Sequence, residues 1–283
     1  MPKKAYVEIT NCCNLSCSFC HGTARPPRFM TLPEFSSIAE KLSGSYDYLY
    51  FHLLGEPLLH PDLPEMIRLA SSLGFRPMLT TNGTLLPSRL SELQGTPLYK
   101  ISISLHAPEA NGAFASPAYL AGCLAFARAL SARGVILVFR LWNLGGEEQG
   151  NPALLSALHE AFPAPWQENR SGFRLADHVF LEWGRRFTWP DLSLPELGET
   201  GFCYGLRDQL GVLADGTVVP CCLDAEGAAA LGNLHVSSLS EILSSPRARA
   251  IYDGFSRHRA VDPLCRRCGY ALDTECYREK KQP

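Results

Sequence analysis

The spacing of its cysteines constrains this chain more than any other feature. The sequence has eleven cysteines in 283 residues, and ten of them lie in two terminal groups, with Cys123 alone between. The two groups are Cys12, Cys13, Cys17 and Cys20, and Cys203, Cys221, Cys222, Cys265, Cys268 and Cys276. A disulfide framework is a poor explanation, because the number is odd, the chain is large and its start lacks the apolar stretch of a secretion signal. Metal binding is the better explanation for both groups.

The N-terminal group contains a CxxxCxxC motif made of Cys13, Cys17 and Cys20. Three thiolates can therefore converge from one short loop. In a four-iron cluster, three cysteine ligands leave one iron without a protein ligand. Structural clusters usually have all four irons bound by protein cysteines. The motif thus indicates a coordination position for an exchangeable ligand. Closed tetrahedral zinc, with Cys12 or His21 as the fourth ligand, is the alternative, and the spacing disfavours it.

The middle of the chain alternates β-branched or aromatic runs with helical patterns, which is typical of βα units around a parallel sheet. Thr31 with Glu34, and Asp62 with Glu65, predict capping boxes at two of the helices. Right-handed crossovers would wind these units into an α/β fold, a partial (β/α)6 TIM-like barrel with its functional residues at the carboxyl ends of the strands. The candidate strands are 6–10, 48–54, 76–81, 100–105, 135–141 and 173–176.

A second, smaller domain is predicted after the aperiodic, proline-rich stretch 190–199. The expected division is a partial barrel over 1–195 and a cysteine-rich domain over 196–283. In the latter, 212–219 reads as a β-hairpin with an Asp-Gly turn, and 239–252 reads as a helix broken or restarted at Pro246. Cys123 shares a helical face with apolar residues, so we expect it to be packed in the core.

The CxxxCxxC motif directly after the first strand, with Phe19 before its last cysteine, resembles the defining motif of the radical S-adenosylmethionine (SAM) superfamily. The resemblance implies that Cys13, Cys17 and Cys20 bind three irons of a [4Fe–4S] cluster, while the amino and carboxylate groups of SAM chelate the fourth. It implies reductive cleavage of SAM to methionine and a 5′-deoxyadenosyl radical, and it places Phe19 beside the adenine. Cys12 and His21 receive no role.

A second motif follows the second predicted strand. Gly55-Glu56-Pro57 is similar to the GGEP segment of this family, although Leu54 replaces the first glycine. A simple turn would explain these residues on their own. Beside the cysteine motif, the resemblance implies backbone and acidic acceptors for the ammonium group of SAM.

Polar residues near later strand ends are further candidates for SAM binding. Ser104 and Asn82 stand where family members place contacts to the ribose or carboxylate of SAM. Arg140 interrupts an apolar strand, and a cation that faces a barrel interior usually needs an anionic partner. That partner is either the SAM carboxylate or a protein carboxylate in a structural salt bridge.

The C-terminal cysteines resemble those of the SPASM extensions of radical SAM enzymes, and more closely the shortened twitch form, which holds one auxiliary [4Fe–4S] cluster. The resemblance assigns four auxiliary ligands and leaves Cys222 and Cys276 over, either of which could replace an assigned ligand. Cys222 is alternatively a hydrogen-atom donor or acceptor facing the substrate. On its own, the CxxC would suggest zinc. The four assigned ligands are Cys203, Cys221, Cys265 and Cys268.

The resemblance implies a radical SAM oxidoreductase or related radical enzyme that abstracts a substrate hydrogen atom, with the auxiliary cluster assisting electron transfer. The expected substrate is a small molecule, such as a sugar or nucleotide, that is oxidised or rearranged. A peptide- or protein-modifying maturase, which crosslinks, epimerises or oxidises side chains, is the alternative. It is unsupported because Cys13 lies too near the first residue for an N-terminal leader-binding module. A non-enzymatic iron–sulfur or zinc scaffold or sensor is the alternative of another class.

Charge and hydropathy bear on partners and location. The formal net charge of -2 and the dispersed arginines of the tail argue against nucleic acid as a partner. No segment is long and apolar enough to span a bilayer, so we expect a cytoplasmic protein without a membrane partner. The resemblance adds a reducing partner such as flavodoxin or ferredoxin.

Overall fold

The computed structural model describes residues 3–113 and 115–272, and these fold around one mixed sheet. The strands are β1 (Lys4–Val7), β2 (Tyr48–Tyr50), β3 (Arg76–Thr81), β4 (Lys100–Ser104), β5 (Ile136–Leu144), β6 (Gln167–Asn169), β7 (Gly172–Ala176), β8 (Val179–Arg185), β9 (Gln209–Val212), β10 (Thr217–Val219) and β11 (Gly232–Asn233). The helices are α1 (Leu32–Leu42), α2 (Leu63–Ser72), α3 (Leu86–Gln94), α4 (Pro117–Ser131), α5 (Asn151–Ala161), α6 (Leu239–Leu243), α7 (Pro246–Ser256) and α8 (Gly269–Leu272).

The sheet has the order β11-β10-β9-β1-β2-β3-β4-β5-β8-β7-β6. Strands β1 to β5 and β8 are mutually parallel neighbours, and a helix follows each of β1 to β5 before the next strand or hairpin begins. Six parallel strands in sequential order, whose first and last members do not pair with each other in the described ranges, confirm the predicted partial (β/α)6 barrel.

The sixth parallel strand differs from the prediction. The segment predicted for that place, 173–176, forms β7, which pairs antiparallel with β8. A tight turn at Asp177 and His178, where His178 has a φ of 56°, reverses the chain before the parallel strand begins. The apolar run therefore marked the first arm of a hairpin, because no crossover helix separates it from β8.

Local capping follows the sequence at one helix and departs from it at another. Thr31 and Glu34 form the predicted capping box of α1. Asp62 precedes α2 but makes no side-chain cap, so that part of the prediction was wrong. The reason is that a short 3-10 turn, Pro57–Leu59, runs almost directly into α2. Asp62 is therefore not in the extended conformation that a capping residue adopts.

The two faces of the parallel strands have different surroundings. Alternate residues such as Ala5, Leu49, Ile101 and Leu137 are fully buried in the core formed with the helices, where Cys123 also lies as predicted. The intervening residues carry polar and aromatic side chains that line an internal cavity. Strand alternation thus separates the packing face from the face that can meet a ligand.

The C-terminal part of the chain joins the same sheet. β9 pairs in parallel with β1, and β10 returns antiparallel to β9 as the predicted hairpin. The fully buried Glu8 strengthens this junction, because its carboxylate accepts two hydrogen bonds from Arg25, at 2.9 and 2.7 Å, and one from the Ala214 backbone N–H, at 3.0 Å. A boundary near 195 remains a prediction.

The helices within residues 3–113 and 115–272 are each too short or too polar to cross a membrane.

Candidate active site

A cavity of about 1000 Å³ lies inside the partial barrel. One end is lined by the loop of Cys13, Cys17 and Cys20, which follows the carboxyl end of β1. The other end includes Cys222, which follows β10. Because β10 runs antiparallel to β9 and β1, residues that follow it lie toward the amino ends of the parallel strands. The cavity therefore extends between the two cysteine groups, and we call its two ends the carboxyl-end chamber and the amino-end chamber.

The three cysteines of the motif all line the carboxyl-end chamber, and Cys13 and Cys20 are exposed to it. Nitrogen donors approach two of the sulfurs: the Leu15 N–H lies 3.4 Å from Cys13 Sγ, and Asn111 Nδ2 lies 3.0 Å from Cys17 Sγ. Burial raises the pKa of the Cys17 thiol to about 11. Donors of this kind stabilise a metal-bound thiolate, so the loop suits cluster ligation.

The sulfur spacing distinguishes a cluster from a single ion. Among the described residues, no three His, Cys, Asp or Glu side chains approach closely enough to hold one metal ion. A tetrahedral zinc ion needs all its sulfurs about 2.3 Å from one point. The ligands of a four-iron cluster each bind a different iron and stand further apart. Cys13, Cys17 and Cys20 are therefore not gathered into a closed zinc site within the described part of the chain.

The two side chains considered as a fourth zinc ligand have other partners. Cys12 Sγ lies 3.9 Å from Asn11 Oδ1, and the Cys12 carbonyl accepts a hydrogen bond from the Glu56 N–H at 2.8 Å. His21 Nε2 lies 3.3 Å from an oxygen of Asp191. Neither residue joins the motif cysteines in the wall of the cavity.

The Gly55-Glu56-Pro57 segment packs tightly against the cysteine loop. Gly55 lines the cavity with a φ of 76°, and a Cβ there would lie 2.3 Å from the Thr10 carbonyl oxygen, so only glycine fits. Pro57 is buried and is the first residue of the 3-10 turn Pro57–Leu59. The segment is therefore more than a surface turn, because it fixes the loop after β2 against the loop after β1.

The Glu56 carboxylate is buried and faces the protein. It accepts hydrogen bonds from the Leu58 N–H, the Thr81 hydroxyl and the Asn82 N–H, at 3.0, 2.8 and 2.8 Å. Burial raises the pKa of Glu56 to about 7 despite these donors. Glu56 does not line the cavity, so its predicted contact to the SAM ammonium remains a prediction, while its hydrogen bonds join the ends of β2 and β3.

The other predicted SAM contacts differ in where they face. Phe19 and Ser104 line the carboxyl-end chamber, and the Phe19 ring centroid lies 4.8 Å from that of His106. Asn82 lies behind the cysteine loop, with its Nδ2 2.9 Å from Asn14 Oδ1 and 3.9 Å from Cys13 Sγ. Phe19 and Ser104 can therefore touch a cavity ligand, whereas the Asn82 side chain holds the loop.

Arg140 faces the cavity as predicted and sits in register with Ser104 on β4 and Glu182 on β8. Its Cζ lies 3.5 Å from the ring centroid of Trp142, and its Nε has no hydrogen-bond partner among the described residues. Glu182 pairs instead with Lys100, at 3.6 Å. The structural salt bridge considered for Arg140 does not form within the described ranges, so its guanidinium can bind an anionic ligand.

The four predicted auxiliary ligands come together beside the amino-end chamber, next to Cys222. Burial is the largest cause of the raised pKa values of Cys221, Cys265 and Cys268, and the charge of Cys203 raises all three further. Cys222 also lies close enough to raise the pKa of Cys221 and Cys268. Burial raises the pKa of the Cys268 thiol to about 12. The Gly205 N–H lies 3.2 Å from Cys203 Sγ. The hairpin brings Cys221 to Cys203, and α7 leads to the turn that carries Cys265 and Cys268.

Cys222 and Cys276 were not assigned as ligands, and the structure describes the first of them. Cys222 lines the cavity and packs against Tyr6, so it faces the space between the cysteine groups, and its role there stays a prediction. Burial raises the pKa of its thiol to about 11. Cys276 lies outside the described residues, and its predicted alternative role as a ligand is untested.

Several cavity residues were missed in the sequence. They share the inward face of the strands and are Lys4, Tyr6, Tyr50, His52, Lys100 and Glu182. The rings of Tyr6 and Tyr50 stack with centroids 4.5 Å apart. The available signal was the alternation in Lys4-Ala5-Tyr6 and Lys100-Ile101-Ser102, where the residue between the polar ones is apolar.

Comparison with known families identifies this arrangement. The radical SAM superfamily model matches residues 7–147, and the SPASM iron–sulfur cluster-binding domain matches residues 203–269. The chain therefore belongs to the radical SAM superfamily and carries a C-terminal SPASM-type iron–sulfur domain. It is an enzyme whose cofactors are SAM, the SAM-binding [4Fe–4S] cluster and an additional auxiliary cluster.

Curated relatives match over a shorter span. A probable GTP 3′,8-cyclase of Metallosphaera sedula is 36% identical over 105 residues, which cover 36% of this chain and 33% of that protein. An AdoMet-dependent heme synthase of Methanosarcina barkeri is 31% identical over 108 residues, which cover 37% of this chain and 31% of that protein. The match thus spans about a third of the length of these relatives.

Solved structures match over nearly the whole chain and show the fold. BtrN in complex with AdoMet and 2-DOIA is 18% identical with a TM-score of 0.58, covering 95% of this chain and 93% of that one. The AdoMet-bound anSMEcpe is 14% identical with a TM-score of 0.64, covering 99% and 95%. SuiB of Streptococcus suis bound to its precursor peptide SuiA is 14% identical with a TM-score of 0.57, covering 95% and 70%.

Proposed function

We propose that this enzyme abstracts a hydrogen atom from a small, polar molecule bound in the barrel cavity and oxidises or rearranges it. The observation that carries the proposal is a single cavity that reaches from the CxxxCxxC loop to Cys222 beside the auxiliary cysteines. A substrate in this cavity lies between the two cysteine groups.

The carboxyl-end chamber would hold SAM. Cys13, Cys17 and Cys20 would bind the cluster, Phe19 would contact the adenine, and Arg140 would take the carboxylate. When bound, the cluster and SAM supply one-electron reductive cleavage and a radical that removes a hydrogen atom from a C–H bond. The protein's contribution is to place one C–H bond there and to exclude others.

The auxiliary cysteines suit electron transfer. Four thiols converge near the amino-end chamber, so an auxiliary cluster there needs no open iron for its own ligation. A cluster held by these four cysteines would supply an acceptor for the electron that remains after loss of a hydrogen atom and a proton. External electrons for SAM cleavage would come from a reducing protein such as flavodoxin or ferredoxin.

A small substrate is favoured over a peptide by the cavity wall. Its amino-end chamber is lined by charged and aromatic side chains that face each other inside the barrel, which suits a compact polar molecule. Relatives named GTP 3′,8-cyclase and heme synthase, and BtrN with 2-DOIA, agree with a small molecule. SuiB binds a peptide on the same fold, so the fold alone does not decide.

Anaerobic reconstitution tests the proposal. We expect about eight irons per chain, because two four-iron clusters are bound, and formation of 5′-deoxyadenosine after reduction with dithionite. The measurements are iron and sulfide content and chromatographic detection of the nucleoside. Bound zinc together with an absence of SAM cleavage would refute the proposal.

Arg140→Ala is expected to weaken SAM binding by at least about tenfold, the cost of losing one hydrogen-bonded contact to a charged group. Iron content should not change, since Arg140 contacts none of the cysteine ligands. Equilibrium binding of SAM to the reconstituted protein gives the measurement. Arg133→Ala, at an exposed arginine outside the cavity, is the matched control. Unaltered SAM affinity in Arg140→Ala would remove the assigned role.

A further inference from the structure

The amino-end chamber carries two lysines that the proposed SAM site does not use. Lys4 opens β1 and Lys100 opens β4, and both side chains line the cavity. From Lys4 to the end of β1 the strand advances about 10 Å, and from Lys100 to the end of β4 about 13 Å. The backbone positions of both lysines are therefore well separated from the cysteine loop at the carboxyl ends.

The chamber has more positive than negative charge available for a ligand. Two carboxylates line the cavity, Glu182 and Asp208. Glu182 pairs with Lys100 at 3.6 Å, and Asp208 pairs with Arg207 at 3.0 Å. The Lys4 ammonium makes no ion pair or side-chain hydrogen bond within residues 3–113 and 115–272.

Electrostatics make this arrangement costly without an anion. The Lys4 and Lys100 side chains line the same cavity, where burial lowers the pKa of Lys100, Glu182 partly offsets this, and the positive charges of Arg140 and then Lys4 lower it further. A cation that loses water gains stability only from a counter-charge. The hydroxyl group of Tyr50, on the same inner surface, can donate a hydrogen bond to the same ligand.

We propose that Lys4 and Lys100 form a subsite for an anionic group of the substrate, a carboxylate or a phosphate. This inference rests on the proposed function, because it assumes that the substrate occupies the cavity. An anion held at the amino ends of β1 and β4 would leave the rest of the substrate extended toward the carboxyl-end chamber. The subsite therefore fixes which part of the substrate faces away from SAM.

Anion titration of the reconstituted enzyme with SAM bound tests the subsite. The probes are inorganic phosphate and succinate, measured by anaerobic calorimetry in low-salt Tris buffer. We expect millimolar or tighter binding of at least one of them. Lys4→Met should weaken that binding at least about fivefold, and Lys100→Met should do the same. Lys3→Met, at the exposed neighbouring lysine, is the matched control and should bind as the native enzyme does.

The outcomes separate the two proposals. Preference for phosphate supports a phosphorylated substrate, and preference for succinate supports a carboxylate. No binding of either anion by the native enzyme, or equal affinity in Lys4→Met, would overturn the subsite. If Lys4→Met does not fold, Lys4→Gln gives the same comparison. SAM cleavage by the native enzyme tests the proposed function separately, because cleavage does not depend on Lys4. If the native enzyme cleaves SAM but binds neither anion, the subsite is wrong and the proposed function is not.

Discussion

Cys17→Ala should lower SAM cleavage by more than about a hundredfold, because it removes one of three ligands from the SAM-binding cluster. Even changes to residues behind a metal ligand commonly cost ten- to a hundredfold. Cys17 lies between the other two ligands and lines the cavity with them. The measurements are iron content, expected to fall from about eight to about four per chain, and 5′-deoxyadenosine formation.

Cys12→Ala is the control for this prediction, because it removes a thiol from the same loop without removing an assigned ligand. The Cys12 sulfur faces Asn11, and His21 is held by Asp191, so neither is placed to replace Cys17. Iron content and SAM cleavage should both survive in Cys12→Ala. Native-level cleavage by Cys17→Ala would show that the cluster is bound in another way.

Cys268→Ala should remove the auxiliary cluster and stop coupled turnover while SAM cleavage continues. Cys268 is buried beside Ile251 and Phe255, and its thiol interacts electrostatically with those of Cys203 and Cys221. With the cluster lost, the electron left on the substrate has no acceptor. Iron content should fall to about four per chain, and 5′-deoxyadenosine should form without substrate conversion.

Cys222→Ala distinguishes the assigned ligand set from its alternative. Cys222 neighbours Cys221 in the chain and is not among the four assigned ligands, so its removal should leave about eight irons. A loss of four irons in Cys222→Ala, together with full iron in Cys268→Ala, would exchange the two roles. Full coupled turnover in Cys268→Ala would refute the role of the auxiliary cluster.

The sequence predicted the fold well because its signals were local and repeated. Cysteine spacing, strand alternation and the Thr31 capping box each act over a few residues, and the structure follows them. The sixth parallel strand was misplaced because a hairpin arm and a parallel strand share the same apolar pattern. Their difference lies in pairing partners, which one sequence does not contain.

The candidate site was predicted less completely, for a physical reason. Arg140 stood out because a charge broke an apolar run, and it does face the cavity. Lys4 did not stand out, because a charged residue at a strand end reads as exposed. Glu182 did not stand out, because no strand was predicted over 179–185, where β8 lies. The carboxylate of Glu56 was expected to face SAM, but its orientation depends on donors from β3 and the following loop, which only the folded chain brings near.

The pairing of β9 with β1 has a consequence for how the chain folds during synthesis. The register joins Lys4 to Gln209, so the first strand made waits for a partner that emerges some two hundred residues later. Contacts of such sequence separation form slowly because a long loop must close first. Until then one edge of β1 is open to pairing with other chains. Translation past Val212 is therefore the point at which this edge of β1 can gain its partner.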